Sequence, residues 1–164
     1  MKAPRRLFLL LLASVLTTSC VTVTPDVALP TDVGPQDGLL LIRFHADDAE
    51  GTLAVHQGAV SLPYAGFSIG ARDDLKLIRI RAGEGLRFST FKTGGRIAYF
   101  DNQKLNFNVK PRTITYVGDV HVLQRPTTVY LRVVDNEEQT KALAMSRFPA
   151  MFSSFEYVKG LAGR

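Results

Sequence analysis

The segment Gly66-Phe-Ser-Ile-Gly70 matches the pattern G-x-S-x-G. In hydrolases this pattern places a nucleophilic serine on a sharp turn between a strand and a helix, and an acid and a histidine follow later in the chain. Here the residues from 74 to 81 have the pattern of a strand, and His121 is the only histidine after Ser68. We therefore expect the two glycines to lie in turns, and we do not expect a serine hydrolase.

A second group of candidate residues lies around the first predicted hairpin and consists of His45, Asp47, Asp48, Glu50 and His56. Zinc and calcium sites combine such nitrogen and oxygen donors at defined spacings. The spacing H-x-D-D-x-E fits none of those ligand patterns, so we predict a solvated turn, with no metal and no other cofactor. The alternative is a small enzyme, or a sugar- or metal-binding protein, that uses the loop from His45 to His56.

Positive charge is concentrated in the middle of the chain, at Arg72, Lys76, Arg79, Arg81, Arg87, Lys92 and Arg96. If the strands that carry these residues are neighbours, they form one basic strip that attracts anionic lipid head groups or an acidic polymer. Lysine and arginine on an outer sheet face also prevent edge-to-edge pairing. We expect this structural role.

The amino-terminal residues have the pattern of a secretion signal. Lys2, Arg5 and Arg6 precede an apolar run over residues 7–16, in which Ser14 is the one polar residue. A helix needs about twenty apolar residues to cross a bilayer, so this run is too short for a membrane span. A cationic start, a short apolar core and small residues are typical of a cleaved signal peptide, which we place at residues 1–19.

Cys20, the only cysteine, follows Thr17-Thr-Ser19. This arrangement resembles the lipobox of bacterial prolipoproteins, in which the cysteine thiol receives a diacylglyceryl group before cleavage. Thr17 stands where the family usually has leucine. The resemblance implies lipidation of Cys20 and attachment to a membrane. The alternative is ordinary cleavage near Ser19, which leaves Cys20 unmodified.

Removal of the signal changes the expected properties of the protein. The formal net charge falls from +5 to +2 when Lys2, Arg5 and Arg6 are lost, so the basic pI gives no support for nucleic-acid binding. A lone cysteine excludes an intramolecular disulfide, so the fold depends on its core. The remaining length suits one domain.

Residues 20–37 contain three prolines and no apolar periodicity, and we interpret them as the acylated cysteine and a flexible tether. In lipoproteins of diderm bacteria an aspartate directly after the cysteine commonly signals retention at the inner membrane. Val21 occupies that position here. By this resemblance we expect the periplasmic side of the outer membrane.

From Gly38 the pattern becomes short and strand-like. We predict strands at Leu39–Phe44, Thr52–His56, Val60–Leu62, Leu75–Arg81, Leu86–Phe91, Arg96–Phe100, Leu105–Val109, Thr113–Leu123 and Thr128–Val134. Short strands with no helix between them favour antiparallel pairing. The sequence therefore predicts a mostly β fold: an antiparallel β-sandwich over residues 38–134, immunoglobulin- or transthyretin-like, with a small closed barrel as the alternative.

The strand over residues 113–123 alternates apolar and polar side chains, with Gly118 on the apolar face. A glycine there favours a bulge or a close approach by another backbone or ring. Tyr116 is expected to bury its ring and to hydrogen-bond a backbone group through its hydroxyl. Asp119 is expected to face outward.

Residues 135–164 change to a helical period. Asp135 is a candidate N-cap with Glu138 three residues later, and Ala142, Met145 and Phe148 share one face. We expect this helical tail to pack on the sandwich and cover an edge or an open end. A partner-binding helix is the alternative.

The stretch from Val109 to Val122, VKPRTITYVGDVHV, resembles a segment of an uncharacterised family of proteobacterial lipoproteins. Their segment is approximately pro-gly-x-ile-x-tyr-ile-gly-asp, so Arg112 stands where that family has glycine. The specific part is Tyr116-Val-Gly-Asp119, within a resemblance that covers about residues 38–149. It implies a small β-sandwich of unknown function and adds no chemistry.

Together these patterns predict a lipid-anchored structural or interaction module of the cell envelope, not an enzyme. Its expected partners are the membrane, through the lipid on Cys20, and an envelope protein or anionic glycolipid. Nucleic acid is not expected. The alternative of a small envelope enzyme or a sugar- or metal-binding protein again centres on the loop from His45 to His56.

Overall fold

The structure, a computed structural model, describes residues 27, 29–46, 50–58, 64–70, 72–100, 105–125 and 127–163. Its helices are a short 3-10 helix (Pro30–Asp32), α1 (Glu137–Arg147) and α2 (Pro149–Ser154). Its strands are β1 (Asp37–Ala46), β2 (Gly51–Gln57), β3 (Ala65–Ile69), β4 (Asp74–Arg81), β5 (Gly83–Thr93), β6 (Arg96–Tyr99), β7 (Asn106–Val109), β8 (Thr113–Gln124), β9 (Val129–Val134) and β10 (Glu156–Lys159). The predicted mostly β class is confirmed.

The strands of the described residues form two sheets of five strands each. The first sheet has the order β10-β8-β1-β4, and β9 pairs with the remaining length of β8. The second sheet has the order β3-β2-β5-β6, and β7 also pairs with β5. Alternate side chains of both sheets, such as Phe44 and Val120 in the first and Leu53 and Phe88 in the second, belong to one buried core. Two sheets that share a core in this way are consistent with a β-sandwich.

The prediction of purely antiparallel pairing is wrong for the first sheet. β1 pairs with β8 in parallel, and so does β10. Parallel neighbours need a long connection. The chain supplies one between β1 and β8 by passing through the second sheet, and α1 and α2 form part of the other connection. The alternation of apolar and polar residues within a strand does not predict which strand lies beside it or in which direction that strand runs.

The outer face of the first sheet carries a second apolar core beneath the helices. Leu41 and Tyr116 of the sheet pack there with Ala144 of α1 and with Met151 and Phe155. This packing agrees with a helical tail that lies on the sheet. The last predicted tail residues, however, form strand β10, which extends the first sheet.

The predicted helix face is wrong in detail. Thr140 and Ala144 are the buried residues of α1, whereas Ala142 is exposed and Met145 is 48% exposed. The helix packs on the sheet through the i, i+4 pair of Thr140 and Ala144. Its N-cap is Asn136, and Asp135 instead forms an ion pair with Lys159 at 2.8 Å.

Part of the predicted tether packs on the domain. Val27 and Val33 are 6% and 5% exposed and belong to the second core. The Val27 N–H donates to the Leu77 carbonyl of β4 at 3.0 Å, which covers part of that strand's edge. The signal peptide, Cys20 and the tether up to residue 26 lie outside the described residues, as does the predicted strand Val60–Leu62. Among the residues the structure describes, no helix has the length and apolar character to span a bilayer.

Candidate functional site

A bulge in β8 determines which side chains reach the outer face of the first sheet. Leu41 of β1 is paired with Tyr116 of β8, and Arg43 of β1 is paired with Asp119 of β8. A step of two residues along β1 therefore corresponds to a step of three residues along β8. Gly118 in the extra position has a φ of +110°. A Cβ there would lie 2.3 Å from Cγ1 of Val133, so a side chain does not fit. The predicted bulge at Gly118 is confirmed, and the nearest group is the Val133 side chain, not the backbone or ring that was expected.

The bulge also explains why the expectation for Asp119 is wrong. Before the bulge, Ile114 and Tyr116 point to the second core, and after it Val120 and Val122 point into the core between the sheets. Asp119 therefore lies on the same side as Tyr116, beneath the start of α1, and is 1% exposed. A strict period-two pattern cannot predict this change of face.

Asp119 accepts hydrogen bonds from several elements, and we call Asp119, Tyr116, Asn136 and Thr140 the Asp119 hub. The Thr140 hydroxyl donates to Oδ1 at 2.7 Å, and the Tyr116 hydroxyl donates to the same oxygen at 3.0 Å. The Asn136 side-chain amide donates to Oδ2 at 3.3 Å. A buried carboxylate is tolerated when its lone pairs are satisfied in this way. The hub thus joins the start of α1 to the centre of the sheet.

The Tyr116 hydroxyl has a second role in the hub. It accepts the backbone N–H of Asn136 at 3.0 Å, which confirms the predicted bond to a backbone group. Burial, followed by the nearby Asp119 carboxylate, raises the pKa of Tyr116 well above its usual value. The hydroxyl therefore keeps its proton and its bond to Asp119 at neutral pH.

His45 connects the hub to the surface. Its Nε2 lies 3.2 Å from Oδ2 of Asp119, and its Nδ1 contacts the carboxylate of Asp73. Arg43 also pairs with Asp73, and its Nη1 is 4.0 Å from Asp119. The His45 ring stacks on His121 with 4.4 Å between centroids. Exposure increases outward, from 1% for the Asp119 side chain to 25% for His45 and 48% for Asp73.

This arrangement limits the chemistry that His45 can perform. A general base needs a ring nitrogen within hydrogen-bond reach of the proton it removes. Both nitrogens of His45 already face carboxylates of the same chain. The geometry therefore favours a structural and electrostatic role for this histidine.

The structure separates the residues of the predicted hairpin loop. His45 lies on β1 of the first sheet. His56 lies on β2 of the second sheet, opposite Arg87 of β5 in the strand register. Asp47 and Asp48 lie outside the described residues, and Glu50 directly precedes β2. Within the described part of the chain, no group of three or more His, Cys, Asp or Glu side chains is arranged to hold a metal ion.

Ser68 lies in the middle of β3, opposite Thr52, with an exposed side chain. It shares a shallow depression with Glu50 and Lys92, and no histidine lines that depression. The expectation of a turn at Gly66 is wrong, because Gly66 is a buried strand residue paired with Ala54. The strand arrangement does not supply the strained turn that the nucleophile pattern needs.

The basic residues do not form one strip. Lys76, Arg79 and Arg81 lie on β4 of the first sheet, whereas Arg87, Lys92 and Arg96 lie on β5 and β6 of the second. Lys76 pairs with Asp74 at 3.0 Å, and Nε of Arg79 is 3.9 Å from the Asp37 carboxylate. The separation and these pairs favour the structural role expected for them.

An open cleft of about 640 Å³ lies between the β5–β6 hairpin and the β8–β9 hairpin. We call it the inter-hairpin cleft. The residues that define it here are Arg96, Tyr99 and Phe100 from one side and Arg125, Thr128 and Tyr130 from the other. Sequence analysis missed this cleft because its two sides are about thirty residues apart in the chain and meet only when the sheets pack.

The fold and these two regions define the chain as a two-sheet β protein with a helical cover, a buried carboxylate hub and an open, basic cleft. No family model matches the chain, and no curated protein and no solved structure matches it either.

Proposed function

We propose that the protein is a lipoprotein anchored by Cys20 to the periplasmic side of the outer membrane, where it acts as a structural or interaction module of the envelope. The observation that carries the proposal is Cys20 itself, the single cysteine, placed directly after a cationic and apolar leader. Lipidation at this position holds an otherwise water-facing domain at a bilayer. One acyl chain binds a membrane only weakly, so the two chains of a diacylglyceryl group suit stable anchoring.

The packing of Val27 supports a short distance between the anchor and the domain. Six residues, 21–26, separate Cys20 from the first described residue. Seven steps from Cys20 to Val27, at about 3.3–3.6 Å each, span at most about 25 Å. The domain is therefore expected to lie close to the membrane surface, with less freedom than a tether extending to residue 37 would give.

An interaction role is supported by the state of the candidate catalytic groups. Both nitrogens of His45 face carboxylates of the chain, and Ser68 is an exposed residue in mid-strand. The inter-hairpin cleft, in contrast, presents side chains to solvent and has a volume typical of ligand sites, which are roughly 300–1,000 Å³. These observations favour binding over catalysis. An enzyme or a sugar- or metal-binding protein built on the loop from His45 to His56 is a weaker second candidate, because its two histidines lie in different sheets.

We further propose that the sandwich is of the immunoglobulin- or transthyretin-like type and that the chain belongs to the lipoprotein family that its Tyr116-Val-Gly-Asp119 segment resembles. In support, the chain crosses repeatedly between the two sheets, as it does in Greek-key sandwiches. The backbone conformation of Arg112 supports the family proposal. Its φ of +58° is a conformation that favours glycine, the residue the family has at this position.

The anchoring proposal is tested by metabolic labelling with radioactive palmitate and by fractionation of the envelope. We expect the wild-type chain to be labelled and to sediment with outer membranes, and Cys20→Ala to lose the label. Thr17→Leu, which completes the lipobox, is the matched control and is expected to retain it. Val21→Asp is expected to move the labelled protein to the inner membrane. Label on Cys20→Ala, or a freely diffusible wild-type protein, would refute the proposal.

A further inference from the structure

We propose that the inter-hairpin cleft binds an anionic saccharide, with Arg96 and Arg125 contacting its acidic groups. This inference deepens the interaction role proposed above and names a ligand class for it. The cleft is open to solvent and large enough, at about 640 Å³, for several sugar rings. Its position at the ends of two hairpins also leaves room for a ligand that continues beyond the site.

Charge separates this cleft from two other depressions on the described surface. Its described lining includes Arg96 and Arg125 and no acidic side chain. The second depression has two lysines in its described lining and no arginine: Lys159 is paired with Asp135 and Glu137 at 2.8 and 2.9 Å, and Lys110 lacks the planar fork of donors that an arginine offers. The third contains an acid, Glu50, beside its lysine. Two guanidinium groups with no acid among the described lining residues attract an anion, and each can hold a carboxylate or a sulfate through two parallel hydrogen bonds.

The remaining lining favours a saccharide over an acidic peptide. Tyr99 and Tyr130 are 69% and 43% exposed, so flat aromatic surface is presented to solvent at the cleft. Apolar ring faces that carry a polar hydroxyl suit the apolar faces and hydroxyl groups of sugars. Thr93, Thr127 and Thr128 add hydroxyl groups that can donate or accept hydrogen bonds. Such a lining offers both kinds of contact that an acidic sugar makes.

One of the arginines is already held in place. The guanidinium carbon of Arg125 lies 5.6 Å from the centre of the Tyr130 ring, within the range of a cation–π contact. This contact restricts the Arg125 side chain before a ligand arrives, which lowers the entropy lost on binding. The hairpin between β8 and β9 fixes the pair further, through backbone hydrogen bonds between Arg125 and Thr128.

The test is calorimetric titration of the full-length protein in detergent with three probes: oligogalacturonate, oligoglutamate of equal charge, and a neutral maltodextrin. We expect oligogalacturonate to bind at least about tenfold more tightly than either of the others. The double variant Arg96→Gln/Arg125→Gln is expected to lose at least about tenfold in affinity, because charge-assisted hydrogen bonds are lost. Tyr99→Ala is expected to weaken binding severalfold.

Arg81→Gln is the matched control, since Arg81 lies on β4 at the opposite edge of the first sheet and its loss removes one positive charge. It is expected to bind like the wild type. Absence of oligogalacturonate binding, equal binding of oligoglutamate, or an equal loss in Arg81→Gln would overturn the inference. Cys20→Ala is expected to keep its affinity, so a failed anchor and a failed cleft give different results.

Discussion

The Asp119 hub and the inter-hairpin cleft use similar groups in opposite ways. In the hub, hydroxyl, amide and charged side chains of one chain satisfy each other, and Asp119 is 1% exposed. In the cleft, arginine, tyrosine and threonine side chains are directed to solvent, and Tyr99 is 69% exposed. The first region sits at the centre of a sheet beneath a helix, and the second sits at hairpin ends.

The difference shows how burial assigns a role to a polar group. A buried polar group contributes to stability only when its partners remain, because an unpaired one carries its full desolvation cost. An exposed polar group keeps its contacts with water in the folded protein. Its removal therefore changes the free energy of unfolding little, whereas it changes the affinity for a ligand strongly. We therefore expect mutations in the hub to change the free energy of unfolding, and mutations in the cleft to change affinity.

The largest effect is expected for Asp119→Ala. It removes the acceptor for Tyr116 and Thr140 and leaves His45 with one carboxylate. Breaking a buried charged network by removing one partner costs about 3–5 kcal/mol. The measurement is the free energy of unfolding from urea denaturation followed by circular dichroism.

Asp73→Ala is the control for that measurement, because Asp73 contacts the same histidine from the surface and is 48% exposed. Exposed ion pairs contribute less than about 1 kcal/mol, so we expect a loss of that size. Equal losses for the two variants would contradict the distinction between a buried hub and its exposed rim.

A smaller loss is expected for Gly118→Ala, which tests the bulge that places Asp119 in the hub. The new Cβ meets Val133 at 2.3 Å, and the φ of +110° is unfavourable for alanine. Backbone strain costs about 1–2 kcal/mol and overpacking about 1–3 kcal/mol, so we expect a total of about 2–5 kcal/mol in urea unfolding.

Two comparisons separate the parts of this loss. Gly85 also has a positive φ, of +64°, but nothing lies within 4 Å of the position that a Cβ would take there, so Gly85→Ala is expected to lose only about 1–2 kcal/mol through backbone strain. In a Val133→Ala background the steric part of the Gly118→Ala penalty should disappear. If Gly118 and Gly85 tolerate alanine equally well, the close approach at Val133 is unimportant.

The sequence predicted much of the fold and little of the hub. Short apolar runs and alternating stretches located β1, β4 and β8 to within two residues, because the apolar character of a strand is a local property of the sequence. These patterns missed β3, whose glycines resemble a turn, and β10, whose short run follows a helical segment. The sequence patterns also did not predict which strands pair, since register and direction depend on residues far apart in the chain.

The hub illustrates the same limit at the level of single residues. Gly118 was a usable signal, because a glycine on an apolar strand face indicates a bulge or a close contact. The consequence for Asp119 was not predictable from alternation, since the bulge moves every later side chain to the opposite face. His45 and Asp73 are in contact only because β1 and β4 are neighbouring strands, and no local sequence pattern predicts that pairing.

The smallest effect is expected in the cleft, for the free energy of unfolding of Arg96→Gln/Arg125→Gln. Both side chains are exposed, and the cation–π contact of Arg125 with Tyr130 contributes about 0.5–1 kcal/mol at an exposed site. Glutamine keeps much of the apolar stem, so we expect a change of no more than about 1 kcal/mol in urea unfolding. This variant therefore remains folded in the titration with oligogalacturonate, and its loss of affinity reports on the cleft alone. A loss as large as that of Asp119→Ala would show that the cleft arginines hold the two hairpins together, and the contrast between the two regions would fail.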